Sequence, residues 1–207
     1  VGKYVAFLDS DDYVLPGFID TLLNVIDQFE PEIIQFNERR ISANGECRGI
    51  IKCHTLPEGL YSSATVREDI FRCGKWFAHA RVFLNRVIRD TMFPMDRELY
   101  EDLATLPKLF MKDIKVFLCS KELVAYRDNP QGVTRNHKPD HAKTLLKLYE
   151  YYSTIPKSTG RDLLRIQLAR TLIHFKIELG IGYISIANIL ADIKTIKCDK
   201  EISLKPS

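Results

Sequence analysis

The chain has 207 residues, 45% of them hydrophobic, enough to bury a core and too many for a disordered or fibrous chain. Its 30 Lys plus Arg against 27 Asp plus Glu leave a formal charge of +3, too small a bias to imply nucleic acid. Five scattered cysteines without a CxxC argue against a zinc knuckle or a secreted disulfide framework and imply a reduced compartment. No charged leader with an apolar segment is present, and no apolar run approaches the roughly 18 to 20 residues of a spanning helix, so a cytoplasmic protein is expected.

Tyr4 to Leu8 is a short apolar run suited to a buried strand. Pro16-Gly17 opens a helix whose apolar positions Phe18, Leu22, Ile26 and Phe29 recur at three and four, and Pro31 stops it. Ile33 to Phe36 reads as the next strand, completing the strand, helix, strand unit of a parallel sheet. Asn44-Gly45 between extended segments signals a hairpin. Thr65 with Glu68 forms a capping box for a helix running to about Cys73-Gly74. Phe77 to Ile88 is ambiguous between helix and strand. Leu103, Leu106, Leu109 and Phe110 form a helical stripe that contains Pro107, and Lys115 to Cys119 and Leu123 to Tyr126 read as two strands.

Past Asp128 the pattern becomes helical, at about His141 to Tyr152, Gly160 to Leu179 and Tyr183 to Ile193. Arg135 to Lys176 holds nine Lys or Arg and three Asp or Glu, so this later part is basic, and a solvated helical face is expected, with contact to anionic lipid or an anionic substrate as the alternative. The organisation implied is an α/β domain over 1–135 and a helical C-terminal annex over 136–207.

The first chemistry lies where the opening strand ends in Leu8-Asp9-Ser10-Asp11-Asp12. Three carboxylates in four positions repel one another, so a cation is expected to compensate them. Asp9 and Asp11 can face one side of an extended loop, where a hard divalent ion, Mn²⁺ or Mg²⁺, would keep sites open for water and phosphate oxygens. Three other readings stand beside this one. The cluster could be a solvated acidic turn ahead of a helix. A calcium loop fits poorly, because Val14 stands where the tight turn requires Gly. A phosphatase of the haloacid-dehalogenase type would use Asp9 as nucleophile and Asp11 for the proton, but Asp12 follows where Thr or Val is usual. The second acidic pair, Glu101-Asp102, is by itself an ordinary acidic first turn of a helix.

The stretch Gly2 to Asp20, GKYVAFLDSDDYVLPGFID, resembles the Asp-x-Asp segment of family 2 glycosyltransferases nearly letter for letter. That resemblance implies a GT-A-like α/β fold with a mixed, mostly parallel sheet. It also implies transfer of a sugar from a nucleotide-sugar donor to a hydroxyl of a glycan or glycolipid acceptor, with inversion. In its terms Asp9 approaches the nucleotide and Asp11 binds the metal that bridges the diphosphate; Asp12, whose role the resemblance does not fix, would hold the loop or water around the ion. Phe93 to Asp102, FPMDRELYED, is similar to the family's Phe-Pro, short loop, Glu-Asp segment. There Asp102 matches the general base, and Glu101 orients the loop or the acceptor.

Tyr126 to Arg135 resembles a later family loop, with Gly132 where Ser is common. Trp76 could stack on an acceptor sugar, although core packing is the commoner use of such a residue. His79 has no second histidine near it in sequence and reads as ordinary.

The likeness runs from about Gly2 to Arg135. Family members carry further nucleotide-binding strands ahead of the Asp-x-Asp, so a severed and inactive enzyme, at the inner face of the cell membrane in its full form, is expected. The same residues also admit the phosphatase and a degenerate glycan-binding or membrane-peripheral protein without turnover.

Overall fold

The computed structural model describes residues 2–89, 100–130, 132 and 138–198. The chain divides into two compact units, Val1–Arg135 and Asn136–Ser207.

In the first unit, strand β1 (Tyr4–Ala6), β2 (Tyr13–Val14), helix α1 (Phe18–Phe29), β3 (Ile33–Ile41), β4 (Cys47–Ile51) and β5 (Gly59–Ser62) follow in order. Then come α2 (Ser63–Cys73), a 3-10 turn (Ala78–Ala80), β6 (Arg81–Leu84), α3 (Asn85–Arg89), α4 (Glu101–Phe110) and β7 (Lys115–Arg127). The sheet runs β1-β6-β3-β7-β2, with β4 added to β3 and β5 to β7.

The sheet is mixed, and among the described residues its parallel pairing is β3 with β7, over the longest register in the sheet. The remaining pairings are antiparallel. β1 and β3 do run the same way, as a strand, helix, strand unit requires, but β6 is inserted between them in the opposite sense. A sequence pattern identifies the crossover and not the later strand that fills the gap, which is why parallel pairs are fewer than the sequence implied.

Helix α1 buries Phe18, Leu22 and Val25 against Ile34 and Phe36 of β3, Val82 of β6 and Phe117 of β7. Those positions are the three-and-four repeat of α1 meeting alternate residues of the strands. Gly45 turns the β3–β4 hairpin at φ +84, a backbone region open to glycine at little steric cost. The cap of α2 is Ser62, whose Oγ accepts the Thr65 N–H, so the helix starts before the Thr65 box that the sequence suggested. The two strands expected over 115–126 form one, β7. Its register against β3 shifts between Phe36 and Glu38, a bulge that re-aims the side chains after it.

The second unit holds α5 (Pro139–Thr154), α6 (Thr159–Leu179) and α7 (Ile186–Cys198). Helix α6 packs with both of the others and buries Leu163 and Ile166 as well as Leu164, Leu168, Leu172 and Phe175. Its apolar surface is thus wider than a single stripe. Arg161 and Arg165, two of the residues that make this segment basic, are buried. Arg161 donates to Asp162 Oδ1 at 2.6 and 2.9 Å, and Arg165 pairs with Asp192, which also accepts from the Tyr149 hydroxyl. Among the described residues no helix is long and apolar enough to cross a membrane.

Candidate active site

The site is organised by Arg81, the first residue of β6, which is fully buried. It faces Gln35 across the β3–β6 pairing and donates Nε to Gln35 Oε1 at 2.9 Å. Its other nitrogens reach back to the carbonyls of Phe77 at 2.6 Å and Lys75 at 2.7 Å. The guanidinium lies over the rings of Trp76 and Phe110 at 5.8 and 5.5 Å. Trp76 also packs edge-on against Phe71 and is 5% exposed, so it belongs to the core and is closed to a sugar. One buried cation thereby fixes the loop that enters the 3-10 turn, and two residues of that turn meet the acidic groups.

The first is Ala78, whose backbone N–H donates to Asp102 Oδ2 at 2.9 Å. Asp102 stands in the first turn of α4, behind Tyr100 in the left-handed conformation at φ +76. Burial pushes the Asp102 carboxyl up to about 6, against the lowering influence of the Ala78 N–H and of the Arg81 and His79 charges. Glu101 beside it is exposed.

The second is His79, 6% exposed, with its Nδ1 3.2 Å from Asp9 Oδ2 and its Nε2 3.0 Å from Glu38 Oε1. The Nε2 contact is close enough to pair ionically but misaligned for a hydrogen bond, and both Glu38 oxygens are buried without a hydrogen-bond partner. The imidazole lies nearly parallel to the rings of Phe77, at 5.2 Å and 8°, and Tyr126, at 5.9 Å and 19°. Burial acts to lower the His79 pKa, but Asp9 and Glu38 together outweigh it and push it up to about 10. The hydrogen bond from His79 lowers the pKa of Asp9 in turn.

The other two carboxylates of the loop are held by the chain after β7 begins to end. Asp12 Oδ1 accepts the Arg127 N–H at 2.8 Å, while its Oδ2 is buried without a hydrogen-bond partner, and burial raises its pKa. Asp11 Oδ2 accepts from Asn129 Nδ2 at 3.0 Å. Ligand atoms of Asp9, Asp12 and His79 all lie within 4.8 Å of one another, a group of three that could hold a metal ion.

The structure therefore brings Asp9 and Asp102 to neighbouring residues of one turn, and holds Asp11 and Asp12 on the same loop as Asp9. His79 and Glu38 carry no signal in the sequence, because their partners stand far away along the chain. The Phe93-Pro94 part of the second motif and Arg135 of the later loop lie outside the described residues.

No family model matches the chain. It is 24% identical over 144 residues to the glycosyltransferase GlyA of Streptococcus pneumoniae serotype 4, a match covering 65% of this chain and 20% of that protein. In fold it is similar to S. aureus TarS solved with UDP-GlcNAc, with a TM-score of 0.63 at 15% identity, covering 95% of this chain and 58% of that one. The UDP complex of TarS gives a TM-score of 0.57 at 16% identity, over 94% and 56% of the two chains. The chain thus spans about a fifth of the curated relative and under two thirds of the solved ones. In sequence the chain is thus similar to a stretch of one glycosyltransferase, and in fold it is similar to part of TarS.

Proposed function

We propose that the polypeptide carrying this chain moves a sugar from a nucleotide-sugar to a hydroxyl of a glycan or glycolipid acceptor, with inversion at the anomeric carbon. The observation that carries this reading is the 3-10 turn at Ala78 and His79, which ties Asp102 to one end and the Asp9 loop to the other. Two acidic sites so joined fit the two charges of a transfer reaction: a diphosphate that leaves and a proton that must be taken.

Asp102 is the base. With its pKa at about 6 it is ionised at neutral pH, yet it is more basic than an ordinary carboxylate. The Ala78 N–H fixes one oxygen, and the other takes the proton of the acceptor hydroxyl. The acceptor oxygen then bonds to the anomeric carbon from the face opposite the diphosphate, whose bond to that carbon breaks with the electron pair staying on phosphate oxygen. Glu101, exposed at the same helix end, orients the acceptor.

Asp9 and Asp11 stand on the donor side, on the loop that would face the nucleotide and its diphosphate. A divalent cation, Mn²⁺ or Mg²⁺, would supply charge neutralisation for the departing diphosphate. The residues present fit such an ion: carboxylate and imidazole atoms stand within 4.8 Å, and one buried carboxylate oxygen lacks a hydrogen-bond partner.

TarS was solved with UDP-GlcNAc, which makes a uridine diphosphate sugar the first donor to test. The assay is release of the nucleoside diphosphate, with and without glycan acceptors and divalent cation, followed by NMR of the product anomer. Acceptor-dependent release with an inverted product supports the reading. Absence of transfer across a full panel of nucleotide-sugars and acceptors removes it, and a retained anomer removes the role of Asp102 as base.

A further inference from the structure

We propose that the divalent ion is held by Asp9, Asp12 and Nδ1 of His79, with Glu38 behind the histidine as its orienting carboxylate and Asp11 outside the ligand set. This deepens the preceding reading and rests on it for the use of the ion, though not for its binding.

The donor atoms are in place. Those of Asp9, Asp12 and His79 lie within 4.8 Å of one another, so a small side-chain shift brings them inside the roughly 4.2 Å that ligands about 2.1 Å from one ion can span. Asp12 is anchored through one oxygen by the Arg127 N–H, and its second oxygen is buried with no hydrogen-bond partner. Asp11 is turned to a different use, because its Oδ2 accepts from Asn129.

The second observation concerns the histidine. His79 is 6% exposed and Glu38 is fully buried, with neither Glu38 oxygen hydrogen-bonded. A buried glutamate in that state is costly unless a positive group lies against it. Its nearest such group is His79 Nε2, at 3.0 Å. A metal-ligating histidine ordinarily gives its other ring N–H to a carboxylate, which fixes the tautomer and makes the ligand more basic. Glu38, His79 and the Asp9 side stand in that order, with the Nε2 to Glu38 contact an ionic one at 3.0 Å that a small rotation would align as a hydrogen bond. The flanking rings of Phe77 and Tyr126 hold the imidazole plane, so Nδ1 stays directed at the loop.

The ligand types set the choice of ion. Mg²⁺ is served by oxygen donors and water, whereas an imidazole nitrogen suits a transition metal, so Mn²⁺ binds in preference to Mg²⁺. The site leaves open positions for water and for phosphate oxygens, as three protein ligands would.

The test is Mn²⁺ binding to the natural polypeptide, by titration calorimetry and by pulsed electron paramagnetic resonance, without any sugar donor. The wild type is expected to show nitrogen coupling to bound Mn²⁺, and His79→Gln to lose that coupling and weaken binding more than about tenfold. Glu38→Gln keeps the nitrogen signal and weakens binding about 10- to 100-fold. Asp11→Asn changes affinity less than threefold, and Asp12→Asn weakens it more than tenfold. Circular dichroism and thermal melting of each variant separate ligand loss from misfolding, and Asp12→Asn, at a half-buried position, serves where His79→Gln does not fold. Absence of a nitrogen signal, or loss of binding in Asp11→Asn with His79→Gln unaffected, overturns the proposal. Ion binding as described without sugar transfer would leave this site standing and remove the function proposed above.

Discussion

Asp102 and Ala78 are joined by a 2.9 Å hydrogen bond from the Ala78 N–H to Oδ2, and Ala78 is the residue before the histidine that meets Asp9. The pKa of this carboxyl, about 6 against an ordinary 3.8, has two consequences of opposite use. The transfer rate is expected to rise with pH through about 6 as the base ionises. Folding stability falls across the same window, because the folded chain holds the proton that the unfolded chain has already lost. Asp102→Asn, which still accepts from Ala78, should flatten the stability profile between about pH 4 and pH 6. Denaturant midpoints at stepped pH check this, and a midpoint that falls as steeply in the variant contradicts it.

Arg81 is the buried cation on which the site loop hangs. Arg81→Met removes its hydrogen bonds to Gln35, Phe77 and Lys75 and leaves those acceptors dry, at a cost of about 3 kcal/mol or more. Urea unfolding measures it. A loss within about 0.5 kcal/mol, typical of a surface change, would mean that the clamp is unimportant.

Trp76 is the single tryptophan of the chain and sits between Phe71 and Phe110. Its fluorescence should be that of a buried indole, resist quenching by a soluble quencher and stay unchanged on addition of glycans. Trp76→Ala is expected to cost about 3–5 kcal/mol. A quenchable, glycan-sensitive emission would return this residue to an acceptor site.

Much of the framework was legible in the sequence because it depends on local pattern. The spacing of Phe18, Leu22 and Ile26 marked α1, Asn44-Gly45 marked the hairpin, and the apolar run into Asp9 marked the loop after β1. What escaped is non-local. His79 acquires its place from Asp9 and Glu38, which are 70 and 41 positions away, and Arg81 from a strand pairing that no short-range pattern records. Arg161 and Arg165 look like a basic face in sequence, yet Asp162 and Asp192 draw them inside. The likeness of the two acidic motifs supplied the candidates, and the buried network between them came only with the fold.

The cysteines give a check on burial. Cys47 is exposed, whereas burial pushes the Cys53 thiol up to about 12 and the Cys73 thiol up to about 11. A thiol reagent at pH 8 should therefore modify Cys47 in the native chain and leave Cys53 until unfolding. Mass spectrometry of the labelled peptides gives the order, and early labelling of Cys53 would contradict the packing around β3.

In the proposed reaction the acidic loop acts on the donor and the α4 helix end on the proton. The decisive comparison is between wild type and Asp102→Asn, for binding and for transfer of a uridine diphosphate sugar in the presence of Mn²⁺. Unchanged affinity for the nucleoside diphosphate is expected, with transfer reduced about 10²- to 10⁴-fold. Wild-type turnover in Asp102→Asn would contradict it.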